Sequence, residues 1–174
     1  MKTSIFLTLV FLSSLADAQI CNPHIVDNWK NSRYDNNLDG TVTDKQTKLM
    51  WKRCAEGLEG VGCSIGGTPE VVWKKALELA EISKFAGYND WRLPNIKELA
   101  SLVKRNCYLP SINKESFPEM SQGFFWSSSP GFYRPHHIYD HQSLQLSFAS
   151  GRERKKIRNS KLGGGLALLV RLGQ

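Results

Sequence analysis

The chain has no apolar run long enough to cross a bilayer. Its longest, Ile5 to Leu15, falls short of the roughly 18 residues a span requires, and the later Leu166 to Val170 is shorter still. Its four cysteines show no Cys-x-x-Cys spacing, which argues against a structural zinc site. Ser127-Ser128-Ser129 lacks a Gly-x-Ser-x-Gly elbow and no triad can be assigned around it, so a hydrolase has little support. Internal repeats and low-complexity tracts are missing, which excludes a solenoid or a linker-like chain. Acidic residues are the minority charge, 16 Asp+Glu against 23 Lys+Arg. The resulting net charge of +7 favours anionic partners without choosing among nucleic acid, anionic lipid and sulfated sugar.

With 174 residues and 41% hydrophobic content, the chain can bury one core, which means one domain or one plus a short appendage. Met1-Lys2, the apolar stretch to Leu15 and Ala16-Asp17-Ala18 have the layout of a secretory signal, with cleavage expected after Ala18. Cys21 stands too far past that cut for lipidation, so no lipid anchor is expected. Loss of residues 1–18 removes Lys2 and Asp17 and leaves the charge at +7. The expected organisation is a signal at 1–18, an irregular arm at 19–33 and a domain at 34–174, exported to the periplasm, the cell surface or the medium.

Export gives the even cysteine count a meaning, since an oxidising compartment permits two disulfides. Three connectivities are open. The Gly-rich loop between Cys54 and Cys63 (Gly57, Gly60, Gly62) can fold back on itself, which favours Cys54–Cys63 with Cys21–Cys107. Closing that short loop is worth about 2–3 kcal/mol by the chain-entropy model.

Asp39-Gly40 before Thr41-Val42-Thr43 is a hairpin signal, and Leu49-Met50-Trp51 reads as a short buried strand. Thr68-Pro69 marks a helix start, and apolar residues from Val71 to Ile82 recur near a 3.6 spacing, predicting a helix over about 69–86. Asn95 with Glu98 three residues on forms a capping-box pattern, predicting a second helix over about 96–105. Phe124–Ser128, Leu144–Phe148 and Leu166–Arg171 read as strands. Short strands, two helices, then more strands define an α+β fold with a mainly antiparallel sheet.

Several strings resemble one family: Arg33-Tyr34, Asp39-Gly-Thr-Val-Thr-Asp44, Leu49-Met-Trp-Lys-Arg-Cys54, Asp90-Trp-Arg-Leu-Pro-Asn-Ile-Lys-Glu-Leu99, Phe125-Trp-Ser-Ser-Ser129 and Val170-Arg-Leu172. They are similar to the C-terminal domain of the Legionella collagen-like adhesin, over nearly all of the chain past the signal. The resemblance implies a C-type lectin-like fold of two helices, a small twisted antiparallel sheet and a loop-rich region, with adhesin and sulfated-glycan binding in the namesake. Two features depart from the family's pattern: Leu144 replaces an aromatic residue before Phe148-x-x-Gly151, and the run after Gly151 is unusually basic. Trp91-Arg92-Leu93-Pro94 also resembles a string of the formylglycine-generating enzymes. Their chemistry requires a late thiol pair, and no Cys follows Cys107.

Gly151-Arg-Glu-Arg-Lys-Lys-Ile-Arg-Asn-Ser-Lys161 concentrates most of the net charge. As a strand it puts Arg152, Arg154, Lys156 and Arg158 on one face, roughly 6.5–7 Å apart, and Lys155 and Ile157 on the other; Lys161 extends the run. Such a ladder can meet successive sulfates, phosphates or carboxylates along a polymer. The competing account is an edge strand whose charges discourage aggregation. The secretory signal and the lack of interleaved aromatics argue against nucleic acid.

Tyr133, Arg134, His136 and His137 form a second candidate, a recognition loop with stacking faces and donors for sugar or protein. Asp35, Asn37 and Asp39 before Gly40 match the opening of a calcium loop, but the twelfth position is Gln46, leaving Asp44 as the substitute ligand. An Asx-rich turn explains the same residues. Trp51, Trp73, Trp91 and Trp126 sit among apolar neighbours and read as core, with Trp29 in the arm.

The sequence therefore predicts an exported module without catalytic residues that binds acidic or sulfated polysaccharide. Its rivals are a protein-interaction module docking on an acidic protein surface, homo-oligomeric or not, and an enzyme of unknown chemistry. No nucleic acid, membrane span or cofactor is expected, calcium being the one ion the sequence leaves room for.

Overall fold

The computed structural model describes residues 19–27, 31–120, 122–131, 141–160 and 164–173. The expected signal at 1–18 and Trp29 of the arm lie outside the described residues. The described arm begins with β1 (Ile20–Cys21), which pairs with Cys107–Tyr108 while Cys21 is bonded to Cys107. The Gln19 side chain adds hydrogen bonds to the Pro110 and Ile112 carbonyls.

The expected hairpin is present. β2 (Tyr34–Asn36) turns into β3 (Thr41–Asp44), and β4 (Leu49–Lys52) follows antiparallel to it. Gly40 takes φ +86° in the turn, a conformation open to glycine at no steric cost, and the Asp39 carboxylate accepts from the Thr41 N–H and hydroxyl. β5 (Leu58–Glu59) and β6 (Ile65–Gly66) form a small hairpin around the second disulfide, Cys54–Cys63.

The first helix is shorter than its periodicity predicts: α1 spans Trp73–Ile82, not 69–86. Thr68 does not cap it. Val71 instead exchanges both backbone hydrogen bonds with Gly165, so the chain stays extended through Val72, and it is extended again at Ser83. α2 (Ile96–Ser101) starts at the expected box, with the Asn95 side chain accepting from Glu98 N–H and the Glu98 carboxylate accepting from Asn95 N–H. It stops short of 105 because Lys104 N–H bonds to Ser111 O and Cys107 N–H to Lys104 O, a turn that delivers Cys107 to Cys21.

β7 (Cys107–Tyr108), β8 (Phe124–Pro130), β9 (Gln142–Ser147), β10 (Arg152–Ile157) and β11 (Val170–Leu172) complete the order. Only the end of the expected 166–171 strand pairs as one. Upstream, Leu166 exchanges hydrogen bonds with β8 while Leu169 O accepts from Lys52 at the end of β4, so this stretch is a seam between two sheets. Those sheets are β11-β4-β3-β2 and β10-β9-β8, and every strand pair is antiparallel. Among the described residues, two α-helices and several small antiparallel sheets make the fold α+β.

The core is divided by the alternation of strand side chains. Trp51, Phe125 and Leu168 join Leu99, Leu102, Phe117, Leu146 and Phe148 in one cluster on the α2 side. Their chain neighbours Met50, Trp126 and Leu169 point the other way, joining Ala76 and Ala80 of α1 with Trp91 and Leu93. Burial on both faces explains why β4 reads as an unbroken apolar run.

Candidate functional site

β10 follows β9 through a turn closed by Gly151, whose N–H donates to Ser147 O and whose φ is +70°. A Cβ there would stand 2.7 Å from Val103 Cγ1, so glycine is needed for conformation and for space. The register sets Arg152 opposite Ser147, Arg154 opposite Gln145 and Lys156 opposite Ser143. Those three β9 residues are buried polar groups on the Trp126 side of the sheet, and the β10 side chains cover them.

Two arginines are anchored there. Arg154 Nε donates to Gln145 Oε1 at 2.8 Å, and its guanidinium lies 3.5 Å from the Phe124 ring centroid. Arg158 Nε donates to Ser143 Oγ at 2.8 Å, and its guanidinium lies 4.3 Å from the Trp73 ring. Gln145, fully buried, is held in turn by its amide donating to Gly164 O. Burial lowers the pKa of Arg154, opposed by the nearby Glu70 carboxylate, but a guanidinium stays charged at any ordinary pH. Ring contact and one committed Nε fix the plane of each guanidinium.

Lys155 and Ile157 occupy the opposite face of β10, as the strand period requires. Lys161, Tyr133, Arg134, His136 and His137 lie outside the described residues. Trp51, Trp91 and Trp126 are core. Trp73 packs against the core at its border: it is half-buried, its Nε1 donates to Ser127 O, and Arg158 lies over its ring.

The four residues of the calcium pattern have separate engagements. Asp35 pairs with Lys45, the Asn37 amide donates to the Thr41 and Thr43 hydroxyls, and Asp39 accepts from Thr41. Asp44 is buried and bound on both oxygens, by Arg33 Nε and Nη2, with Gln46 N–H and the Thr47 hydroxyl also donating. Burial opposes its ionisation, but the Arg33 guanidinium and the other donors outweigh that and hold its carboxyl below the ordinary value. Among the described residues, no group of three or more His, Cys, Asp or Glu is placed to hold a metal ion.

A cleft of about 670 Å³ lies between the β2–β3 turn, the end of β4, the Cys54–Cys63 loop and Phe85. On its floor the Lys52 ammonium bonds Glu56 and sits 4.4 Å from the Phe85 ring centroid. Sequence reading did not find this cleft. The available signal was two aliphatic residues embedded in turn chemistry, Leu38 within Asn36-Asn37-Leu38-Asp39-Gly40 and Val61 between Gly60 and Gly62.

These features define a small disulfide-bonded α+β domain with a basic edge strand and a separate cleft. Residues 40–171 match the model of the Lcl C-terminal domain, the C-terminal domain of the Legionella collagen-like protein, and the chain belongs to that family. Membership points to a domain of a collagen-like, adhesin-type protein, and together with the two disulfides it is consistent with export. No curated protein and no solved structure matches the chain. Among the described residues, no helix is long and apolar enough to cross a membrane.

Proposed function

We propose that this domain is an exported, C-type lectin-like binding module that grips acidic or sulfated polysaccharide along β10, without catalysis. Arg152, Arg154, Lys156 and Arg158 supply the contacts, and calcium is not required. The observation that carries this reading is the anchoring of Arg154 and Arg158 on Phe124 and Trp73, with Nε bonds to Gln145 and Ser143. Charges placed only to protect a sheet edge gain nothing from being held in one rotamer, whereas a binding fork loses less entropy on contact when it is preset.

Salt-gradient elution from immobilised heparin tests the proposal, with and without calcium. The wild type should elute well above physiological salt, and a variant with Arg152, Arg154, Lys156 and Arg158 changed to Gln should elute early. Surface charge is screened over about 8–10 Å at physiological salt, so a chance basic patch releases there. Coelution of both proteins at low salt would make the strand an edge guard or a protein contact.

A further inference from the structure

The cleft beside the Cys54–Cys63 loop takes no part in polyanion binding, and both its rims are fixed before anything enters it. One rim is the β2–β3 turn, which lies against Phe85: a Cβ on Gly40 would stand 2.6 Å from Phe85 Cζ, so glycine is what admits that approach. The other is the disulfide loop, which carries Val61. Leu38 and Val61 stand on these rims 90% exposed each. Leu38 also holds φ +64°, a conformation that glycine or asparagine adopts more readily, so the turn itself gains nothing from a leucine there. Exposed aliphatic side chains on a preformed concavity mark contact with a hydrocarbon group from outside the chain.

Charge identifies the rest of the ligand. Three carboxylates, Asp39, Glu56 and Glu59, line the cleft against two cations, Lys52 and Arg53, which leaves one negative charge in excess on a chain of net charge +7. Lys52 is bonded to Glu56 and lies over the Phe85 ring. Arg53 keeps its charge, but its Nε and Nη2 donate to the Ser116 and Glu115 carbonyls. On the acceptor side, Asp39 Oδ1 takes the Thr41 N–H and hydroxyl while Oδ2 accepts from neither. Among the described residues the Glu59 carboxylate has no hydrogen bond or ion pair. A ligand covering these oxygens strips their water and must return donors, best from a cation. Among the described residues no three acids are placed to hold a metal ion. The cation that fits is therefore organic, with N–H donors at one end and hydrocarbon for Leu38 and Val61 at the other.

We infer that the cleft binds a small primary alkylammonium, its ammonium group on Asp39 and Glu59 and its hydrocarbon body between Leu38 and Val61. A volume of about 670 Å³ is that of a small-molecule site. This inference goes beyond polyanion binding and does not rest on it, since that reading uses β10 and Arg158.

Chemical-shift mapping of the backbone amides tests it with hexylammonium, hexanol and hexanoate, which share one body and differ in charge. Hexylammonium should bind saturably and shift the amides of Leu38, Gly40, Gly60 and Val61. Hexanol should bind about tenfold more weakly, the loss expected when hydrogen bonds to a charged group are no longer charge-assisted on both sides, and hexanoate should not saturate. Asp39→Asn with Glu59→Gln keeps both shapes and removes the charge, and the Kd for hexylammonium should rise about tenfold. Leu38→Asn suits the left-handed turn, so it spares the fold while removing one wall, and should raise that Kd about threefold. Leu38→Asn changes no charge and should elute from heparin with the wild type, so the two readings fail separately. An unchanged Kd in either variant, hexanol or hexanoate bound as tightly as hexylammonium, or shifts centred away from the cleft would each overturn the inference.

Discussion

Asp44→Asn tests the internal electrostatics and the calcium alternative together. The wild-type carboxylate is fully buried and bound on both oxygens by Arg33, whose own side chain is 11% exposed. The amide keeps the shape but removes the charge facing Arg33, which also donates to the Ser101 carbonyl and lies over the Tyr34 ring. Breaking one side of a buried pair costs about 3–5 kcal/mol, and the retained amide oxygen argues for the lower end, about 3 kcal/mol. For a domain of this size that lowers Tm by about 6–12 °C. Urea denaturation followed by tryptophan fluorescence, with both disulfides intact, measures the difference.

The sign of the pH dependence follows from the depressed pKa of Asp44. A carboxyl whose folded pKa lies below its unfolded value contributes stability that is complete above the unfolded value, about 3.9, and is lost as pH falls through the folded one. The gap between wild type and variant should be full at pH 7 and should shrink toward pH 3. Chelation of calcium should leave the wild type unchanged, because the Asp44 oxygens are occupied by Arg33. A gap below about 1 kcal/mol, a gap unaltered at pH 3, or a chelator effect that Asp44→Asn abolishes would refute the reasoning, since removing one partner of a buried pair costs about 3–5 kcal/mol.

Gln145→Leu removes the acceptor of Arg154 Nε without changing charge; it should cost about 1–3 kcal/mol of stability and lower the salt at which heparin releases the protein. Unchanged elution would show that Gln145 does not position the arginine. Replacing Cys54 and Cys63 together by Ser opens a loop of sequence separation 9, which should cost about 2–3 kcal/mol in denaturant. A cost below about 1 kcal/mol would show that the loop keeps its shape without the bond.

Local signals were legible wherever a feature is made by near neighbours. The Asp39-Gly40 turn, the Asn95/Glu98 box and the alternation along 152–158 each depend on residues a few positions apart, so backbone geometry alone specifies them. Helix ends were not legible. The first helix is cut at Trp73 because Val71 bonds to Gly165, 94 residues away, and no propensity of Thr68-Pro69 registers a partner at that distance. Trp73 packs against the α1-side core but is only half-buried, and its apolar neighbours in sequence give no sign of Arg158 above its ring.

The sequence by itself determined the α+β order, the basic strand and its two faces, because these follow from residue type and strand period. Tertiary structure decided which cations are anchored. Phe124, Gln145 and Ser143 meet Arg154 and Arg158 only once β8, β9 and β10 are in register, and ring contact with an Nε hydrogen bond then holds each guanidinium in one place. It also decided the existence of the cleft, for Leu38, Val61 and Phe85 are strangers in sequence that become one surface when the β2–β3 turn, the disulfide loop and the end of α1 converge.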